Sequence, residues 1–164
     1  MNAIFHRTSI RKFTEQAVEP EKLEQMLKAA MAAPSACNQQ PWSFVVVRSE
    51  KVRNQLADCS RAAGPCRNAP VVIVPCYTDE VRVPEFAVQD TAACVENLLL
   101  QADDLGLGAV WMGIAPREDR MRAVAEVLEL PAHVHCFAFI AVGYPAEGHA
   151  QEDRFHAERI RYID

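Results

Sequence analysis

The stretch that decides the fold covers residues 33–44 and reads Ala33-Pro34-Ser35-Ala36-Cys37-Asn38-Gln39-Gln40-Pro41-Trp42-Ser43-Phe44. Before it, apolar residues recur at helical spacing from Leu23 to Met31, which predicts an amphipathic helix. Pro34 should end that helix at Ala33, because the residue before a proline avoids the helical region. After it, the run 43–47 is mostly aromatic or β-branched, without alternation, and predicts a buried strand.

The loop between this helix and this strand carries Ser35, Asn38 and two glutamines beside Trp42. Pro41 should keep Gln40 extended. Such a loop could grip a flat ligand with a polar edge, or it could be only a capped connection from helix to strand. The residues of the loop leave both interpretations open.

Helices and strands alternate on both sides of this stretch. Helices are predicted over residues 2–6, 21–33, 49–61, 86–105 and 117–130, and strands over 43–48, 70–74, 108–113 and 134–142. The 86–105 helix is apolar nearly all round, which places it inside a domain or between two subunits. The alternation favours an α/β or α+β sandwich in a single domain over residues 1–164. The polar tail ends in 159–163, which could add a short strand to a sheet edge, for example that of another subunit.

Composition excludes several classes of protein. The formal net charge of −5 argues against a general nucleic-acid or anionic-membrane binder. The N-terminus lacks the apolar core of a signal peptide, and the long apolar helix contains several acidic residues, so it is not a membrane span. The six cysteines show no C-x-x-C spacing, which favours a reducing, cytoplasmic compartment.

Several catalytic and metal-binding motifs can be set aside. Gly106-Leu107-Gly108 follows a helix and has Trp111 at the third glycine position, so it is not a dinucleotide-binding loop. His133 and His135 could share a strand face, but no nearby cysteine or acidic residue completes a metal site. Cys37 has no histidine close in sequence, which favours a small buried side chain over a nucleophile.

The strongest positive patch is Arg7-Thr8-Ser9-Ile10-Arg11-Lys12-Phe13. Arginine presents a planar set of donors that suits a phosphate. A solvated charged turn would give the same composition, so this patch alone does not decide between the two.

Four features together resemble the nitroreductase family of FMN-dependent oxidoreductases, from Phe5 to about Tyr162. They occur in the family's order: the 7–13 patch, the Ala-Pro-Ser-x-x-Asn-x-Gln-Pro-Trp loop at 33–42, the glycine-ended strand 111–113 after a long apolar helix, and Gly-Tyr-Pro-Ala-Glu at 143–147 followed by Arg154 and a short terminal strand. The resemblance implies an α+β, nitroreductase-like fold with a central, mainly antiparallel sheet flanked by helices. It also implies an intertwined homodimer that exchanges the C-terminal strand and holds two FMN molecules at the subunit interface.

The resemblance also implies the roles of individual residues. Residues that match phosphate and ribityl positions are Arg7, Thr8 and Ser9, with Arg154 as a phosphate-binding residue of the tail and Arg159 as a less certain second. Arg11 matches the cation near the pyrimidine edge of the flavin, and Gly113 matches the residue whose backbone N–H faces flavin N5. The loop that reaches the flavin from the other subunit is matched by Pro34, Ser35 and Asn38.

The activity implied is an NADH- or NADPH-dependent reduction of nitroaromatic, quinone-like or similar flat acceptors. The flavin carries this chemistry, so no catalytic side chain and no metal are expected. Two alternatives are a specialised flavin enzyme of the same fold that cleaves or dehalogenates its substrate, and a non-catalytic flavin-binding protein.

Overall fold

A five-stranded sheet forms the centre of the computed structural model, which describes residues 2–148 and 150–163. The strands are β1 (Trp42–Val47), β2 (Val71–Thr78), β3 (Gly108–Gly113), β4 (Val134–Cys136) and β5 (Ala138–Gly143). They lie in the order β1-β2-β5-β3, with β4 also paired to β2, and every pair is antiparallel. The prediction of an α+β fold with a mainly antiparallel sheet is confirmed.

Six helices of the described chain flank the sheet. They are α1 (Ala3–His6), α2 (Pro20–Met31), α3 (Glu50–Asp58), α4 (Pro65–Asn68), α5 (Ala87–Asp104) and α6 (Glu118–Leu128). Short 3-10 turns cover Ala36–Asn38, Arg61–Ala63, Pro84–Phe86 and Ala157–Arg159. No helix in the described ranges combines the length and apolarity needed to cross a membrane.

The sheet separates two hydrophobic cores. On one face, α5 packs against α2 and contributes Cys94, Val95 and Leu98, all fully buried. The other core includes Leu56 of α3, Val124 of α6 and residues of α4. The long apolar helix therefore lies inside this chain's own fold, as one of the two predicted arrangements requires.

The fourth predicted strand, 134–142, is interrupted at Phe137. Val71 pairs with Val142 and Ile73 with Ile140, but Cys76 pairs with Cys136, so the β4–β5 segment has one extra residue. The interruption faces Pro75, which has no N–H to donate and can only accept from the Phe137 N–H at 2.9 Å. A β-bulge at a proline resolves the mismatch, and it corrects the prediction of one continuous strand.

The segment that follows α1 runs along the outer edge of β3. Ser9 forms a parallel bridge with Ala109, and the Ile10 N–H donates to the Ala109 oxygen at 3.0 Å. Gly108 allows this close approach, because a Cβ there would lie 2.7 Å from Cγ2 of Ile10. The N-terminal patch is thereby fixed to the sheet.

The tail forms no strand within the described part of this chain. Of residues 159–163, predicted as a short strand, Arg159 ends the 3-10 turn Ala157–Arg159, and residues 160–163 follow it without regular structure. Tyr162 and Ile163 are more than four-fifths exposed, and in the described part of the chain they pair with no strand. Exchange of a C-terminal strand between subunits stays a prediction.

Candidate functional site

A polar cavity brings together residues from both ends of the chain. It has a volume of about 340 Å³. Its lining consists of Arg7, Thr8, Ser9, Arg11, Ala150, Gln151, Glu152 and Arg154. The five predicted phosphate, ribityl and pyrimidine-edge residues are all among them, and we call this space the arginine cavity. Arg159 is not among its lining residues.

Neighbouring side chains fix the backbone of the arginine cavity. A carboxylate oxygen of Glu147 accepts from the backbone N–H groups of Arg11 and Lys12, at 2.8 and 3.2 Å. Gln151 of the tail donates its Nε2 to the backbone oxygen of Arg7 at 3.3 Å. Glu96 of α5 forms an ion pair with the Arg7 guanidinium at 3.7 Å.

The charges of the arginine cavity suit an anionic group. Arg7, Arg11 and Arg154 contribute three guanidinium groups, against one lining carboxylate, that of Glu152. A phosphate monoester carries a charge of about −1.5 to −2 at pH 7 and accepts several charge-assisted hydrogen bonds. The donor set therefore fits the terminal phosphate of FMN.

Gly113 lies at the open edge of the sheet. The Ala109 oxygen faces outward, towards Ile10, and backbone groups alternate sides along a strand, so the N–H of Gly113 also faces outward. An added Cβ would meet no atom nearer than the Ala115 oxygen at 4.0 Å, so the space beside it is open. Four residues of strand separate Gly113 from the Ser9 bridge, or about 13 Å. A ligand with a phosphate at one end and a ring system at the other could contact both.

The predicted ligand-gripping loop has a strained backbone. Cys37, Asn38 and Gln40 all have φ values near +50°, a region that non-glycine residues seldom adopt. Ser35 Oγ accepts from the Gln40 N–H at 3.0 Å, and Asn38 Oδ1 accepts from the Gln40 side chain at 2.9 Å.

This geometry overturns two expectations about the loop. Gln40 is not extended, because its backbone and side chain both turn back onto the loop. Cys37 is not a buried core residue, because the left-handed turn exposes its side chain.

Asp90 and Gln39 hydrogen-bond this loop, and neither role was predicted from the sequence. The Asp90 carboxylate on α5 accepts from the Ala36 N–H at 3.0 Å and from the Gln39 side chain at 2.7 Å. One signal was present in the sequence, because an aspartate on the buried side of an apolar helix needs hydrogen-bond donors from elsewhere in the fold.

Within one chain, the predicted site residues other than Gly113 fall into two groups. Asp90 contacts the loop, whereas Glu96, six residues further along α5, contacts Arg7. Six residues correspond to about 9 Å along the helix and about 120° around it. Pro34, Ser35 and Asn38 accordingly line no part of the arginine cavity of their own chain.

Comparison with known proteins gives this arrangement a context. The model of the nitroreductase family matches residues 4–65 and 62–144. A protein of Methanothermobacter thermautotrophicus, described provisionally as an NADH dehydrogenase/NAD(P)H nitroreductase, is 38% identical over 98% of this chain and 84% of its own length.

Two solved structures are similar over nearly the whole chain. The first, from Clostridium acetobutylicum and described provisionally as an NADH oxidase, is 41% identical with a TM-score of 0.95 and covers 99% of both chains. The second, a nitroreductase-like protein of Desulfovibrio desulfuricans solved in complex with FMN, is 33% identical with a TM-score of 0.85 and covers 99% of this chain and 95% of its own. On sequence and fold alike, the chain belongs to the nitroreductase family.

Proposed function

We propose that this protein is an FMN-dependent oxidoreductase that uses NADH or NADPH to reduce nitroaromatic, quinone-like or similar flat acceptors. The observation that supports it most directly is the arginine cavity, where the two ends of the chain meet around three guanidinium groups. Residues 1–164 would act as one FMN-binding domain, in the cytoplasm.

The chain's own residues would bind and orient the cofactor. Arg7, Thr8, Ser9 and Arg154 would hold the phosphate and ribityl chain, while Arg11 would interact with the pyrimidine edge of the ring. Gly113 would offer its outward N–H to flavin N5. When bound, FMN supplies the electron transfer from the nicotinamide to the acceptor, and the protein contributes position and charge.

The site would be shared between two subunits of a homodimer. The loop carrying Pro34, Ser35 and Asn38 lies on a different side of α5 from the arginine cavity of its own chain. The corresponding loop of a partner subunit is not attached to this chain's α5, so it can complete the site. The exposed Phe155, Tyr162 and Ile163 of the tail would be covered by the partner, with 159–163 exchanged as a strand.

The reaction would follow a ping-pong course. With FMN bound, donor and acceptor would each need to stack on the ring near Gly113, and a single open flavin face per site would hold only one of them at a time. The nicotinamide product would therefore leave before the acceptor enters. Apolar contacts discriminate weakly between flat acceptors, so acceptor choice should be broad.

Purification and steady-state kinetics test this proposal. The protein should purify yellow with FMN and turn over NADH or NADPH with menadione, giving parallel lines in double-reciprocal plots. Recovery of FAD as the main flavin, or no flavin binding after reconstitution, would contradict the cofactor assignment. Bound FMN without turnover would contradict the enzymatic one, and intersecting lines would contradict the ping-pong course.

A further inference from the structure

We propose that Asp90 is a positioning residue that acts through Gln39 to hold the loop 34–40 in its ligand-binding conformation. This inference rests on the proposed function, because it assigns to that loop a contact with FMN. Asp90 itself touches the loop and not the cofactor.

Asp90 is an unusual residue for its place in the fold. It lies on the buried side of α5 and is only 7% exposed, next to the fully buried Thr91. A carboxylate removed from water needs hydrogen-bond donors. The loop supplies one donor to each carboxylate oxygen: the Ala36 N–H donates to Oδ1 at 3.0 Å, and the Gln39 side chain donates to Oδ2 at 2.7 Å.

Gln39 extends this contact to the segment that precedes α5. Its Oε1 accepts from the Val83 N–H at 2.9 Å, and its Nε2 donates to the Val83 oxygen at 3.1 Å. The amide therefore uses both its acceptor and its donors, which no residue other than glutamine could do at this length. Asp90, Gln39 and Val83 form one hydrogen-bonded unit, which we call the loop clamp.

The loop clamp lies where the backbone is most strained. Cys37 and Asn38 precede Gln39 and Gln40 follows it, and all three have left-handed φ values. Such a conformation persists when surrounding contacts determine it. Without the clamp, the loop can relax towards ordinary backbone conformations, and Ser35 and Asn38 would then point elsewhere.

The clamp also connects the loop to a rigid element. Cys94, Val95 and Leu98 of α5 are fully buried, so the helix has little freedom to move. A binding loop fixed to such a helix is preorganised, and less conformational freedom is lost when the ligand binds.

The test uses the full-length protein with two clamp variants, Asp90→Asn and Gln39→Ala. Asparagine nearly preserves the size of Asp90 but turns an NH₂ group towards one of the two donors. We expect FMN affinity, measured by titration of flavin fluorescence, to fall about tenfold or more in each variant. In the absence of FMN, amide hydrogen exchange across residues 35–40 should become faster.

Thr91→Val is the matched control. Thr91 is fully buried beside Asp90, and its Oγ1 donates to the Ala87 oxygen at 2.8 Å, within α5. This variant removes a buried hydrogen bond from the same helix without touching the loop. Loop exchange and FMN affinity should stay at the level of the unmodified protein.

The outcomes separate this inference from the proposed function. If the unmodified protein binds FMN and both clamp variants keep native affinity and native exchange, the positioning role is wrong. If the unmodified protein does not bind FMN, the proposed function fails, and the exchange measurement still decides whether the clamp holds the loop. The double variant should lose no more affinity than the weaker-binding single variant; additive losses would contradict a clamp that acts as one unit.

Discussion

Arg7 and Arg154 show how single side chains define this site. They come from opposite ends of the chain, and both line the arginine cavity. Glu96 contacts the side chain of Arg7, and the tail residue Gln151 donates to its backbone oxygen. Its backbone and its guanidinium therefore each have a partner within the chain.

Replacing either arginine by alanine should weaken FMN binding. Loss of one charge-assisted hydrogen bond to phosphate costs about 1.5–3 kcal/mol, which corresponds to about tenfold or more in affinity. Flavin fluorescence titration of Arg7→Ala and Arg154→Ala measures this loss of affinity. Arg48→Ala is the control, because Arg48 is exposed after β1 and lines no part of the arginine cavity. Equal affinities for all three variants would show that the phosphate is held elsewhere.

The cysteines should differ sharply in reactivity. Cys37 is exposed in the strained loop, whereas burial raises the pKa of Cys66 and of Cys94 from 9.0 to about 12. The thiolate is the reactive species, so at pH 8 the buried thiols should react slowly with a disulfide reagent such as DTNB.

We therefore expect Cys37 to react fastest in the native apoprotein, ahead of the half-buried Cys59, and the fastest phase to disappear in Cys37→Ser. Unfolding in denaturant should make the remaining thiols reactive and so control for reagent activity. An unchanged fastest phase in Cys37→Ser would contradict the exposure of the loop.

At the scale of elements, the packing of the N-terminal segment on β3 connects the fold to the site. Ile10 lies against Gly108, and Arg7, Thr8, Ser9 and Arg11 surround it in sequence. Any displacement of Ile10 is transmitted to the arginine cavity, because the same short segment lines both.

Gly108→Ala should therefore impair stability and FMN binding together. The added Cβ would lie 2.7 Å from Cγ2 and 2.8 Å from Cβ of Ile10, so the segment must shift. Overpacking of this kind costs about 1–3 kcal/mol, measurable by urea denaturation. Gly64→Ala is the matched control, because a Cβ there meets no atom within 4 Å. Unchanged FMN affinity in Gly108→Ala would show that the segment does not position the site.

How far the sequence predicts these elements depends on the range of the interactions that determine them. Local patterns predicted β3 at its observed bounds, 108–113. The bulge at Phe137 depends on Pro75 in another strand, and the loop that carries Cys37 is hydrogen-bonded through Gln39 to Asp90, 51 residues further along the chain. Such contacts between residues far apart in the sequence leave no periodic signal. Arg154 was assigned to the phosphate only through the family resemblance, because no local rule places it beside Arg7.

At the scale of the whole molecule, the exposed tail is the feature that a single chain leaves unexplained. Phe155, Tyr162 and Ile163 are between 72% and 83% exposed, although aromatic and branched apolar residues normally seek burial. Across the described residues of the tail, only a 3-10 turn orders the backbone. A partner subunit that covers the tail would account for both observations.

Deletion of residues 155–164 should weaken the dimer and release FMN together. If the tail clasps the partner, its loss separates the subunits and leaves each FMN with half a site. Sedimentation and flavin titration on the same sample measure both effects. A truncated monomer that keeps FMN at native affinity would refute the shared site.

Subunit complementation tests the shared site most directly. One chain carries Arg7→Ala with Arg154→Ala, the other carries Ser35→Ala with Asn38→Ala, and neither should bind FMN well alone. If the loop serves the partner's arginine cavity, random pairing gives about half heterodimers, each with one intact site, so about a quarter of native-affinity sites should return. If the loop serves its own chain, every site in the mixture is damaged. A shared site requires that native-affinity FMN binding recovers on mixing; no recovery, with heterodimers demonstrated, would contradict it.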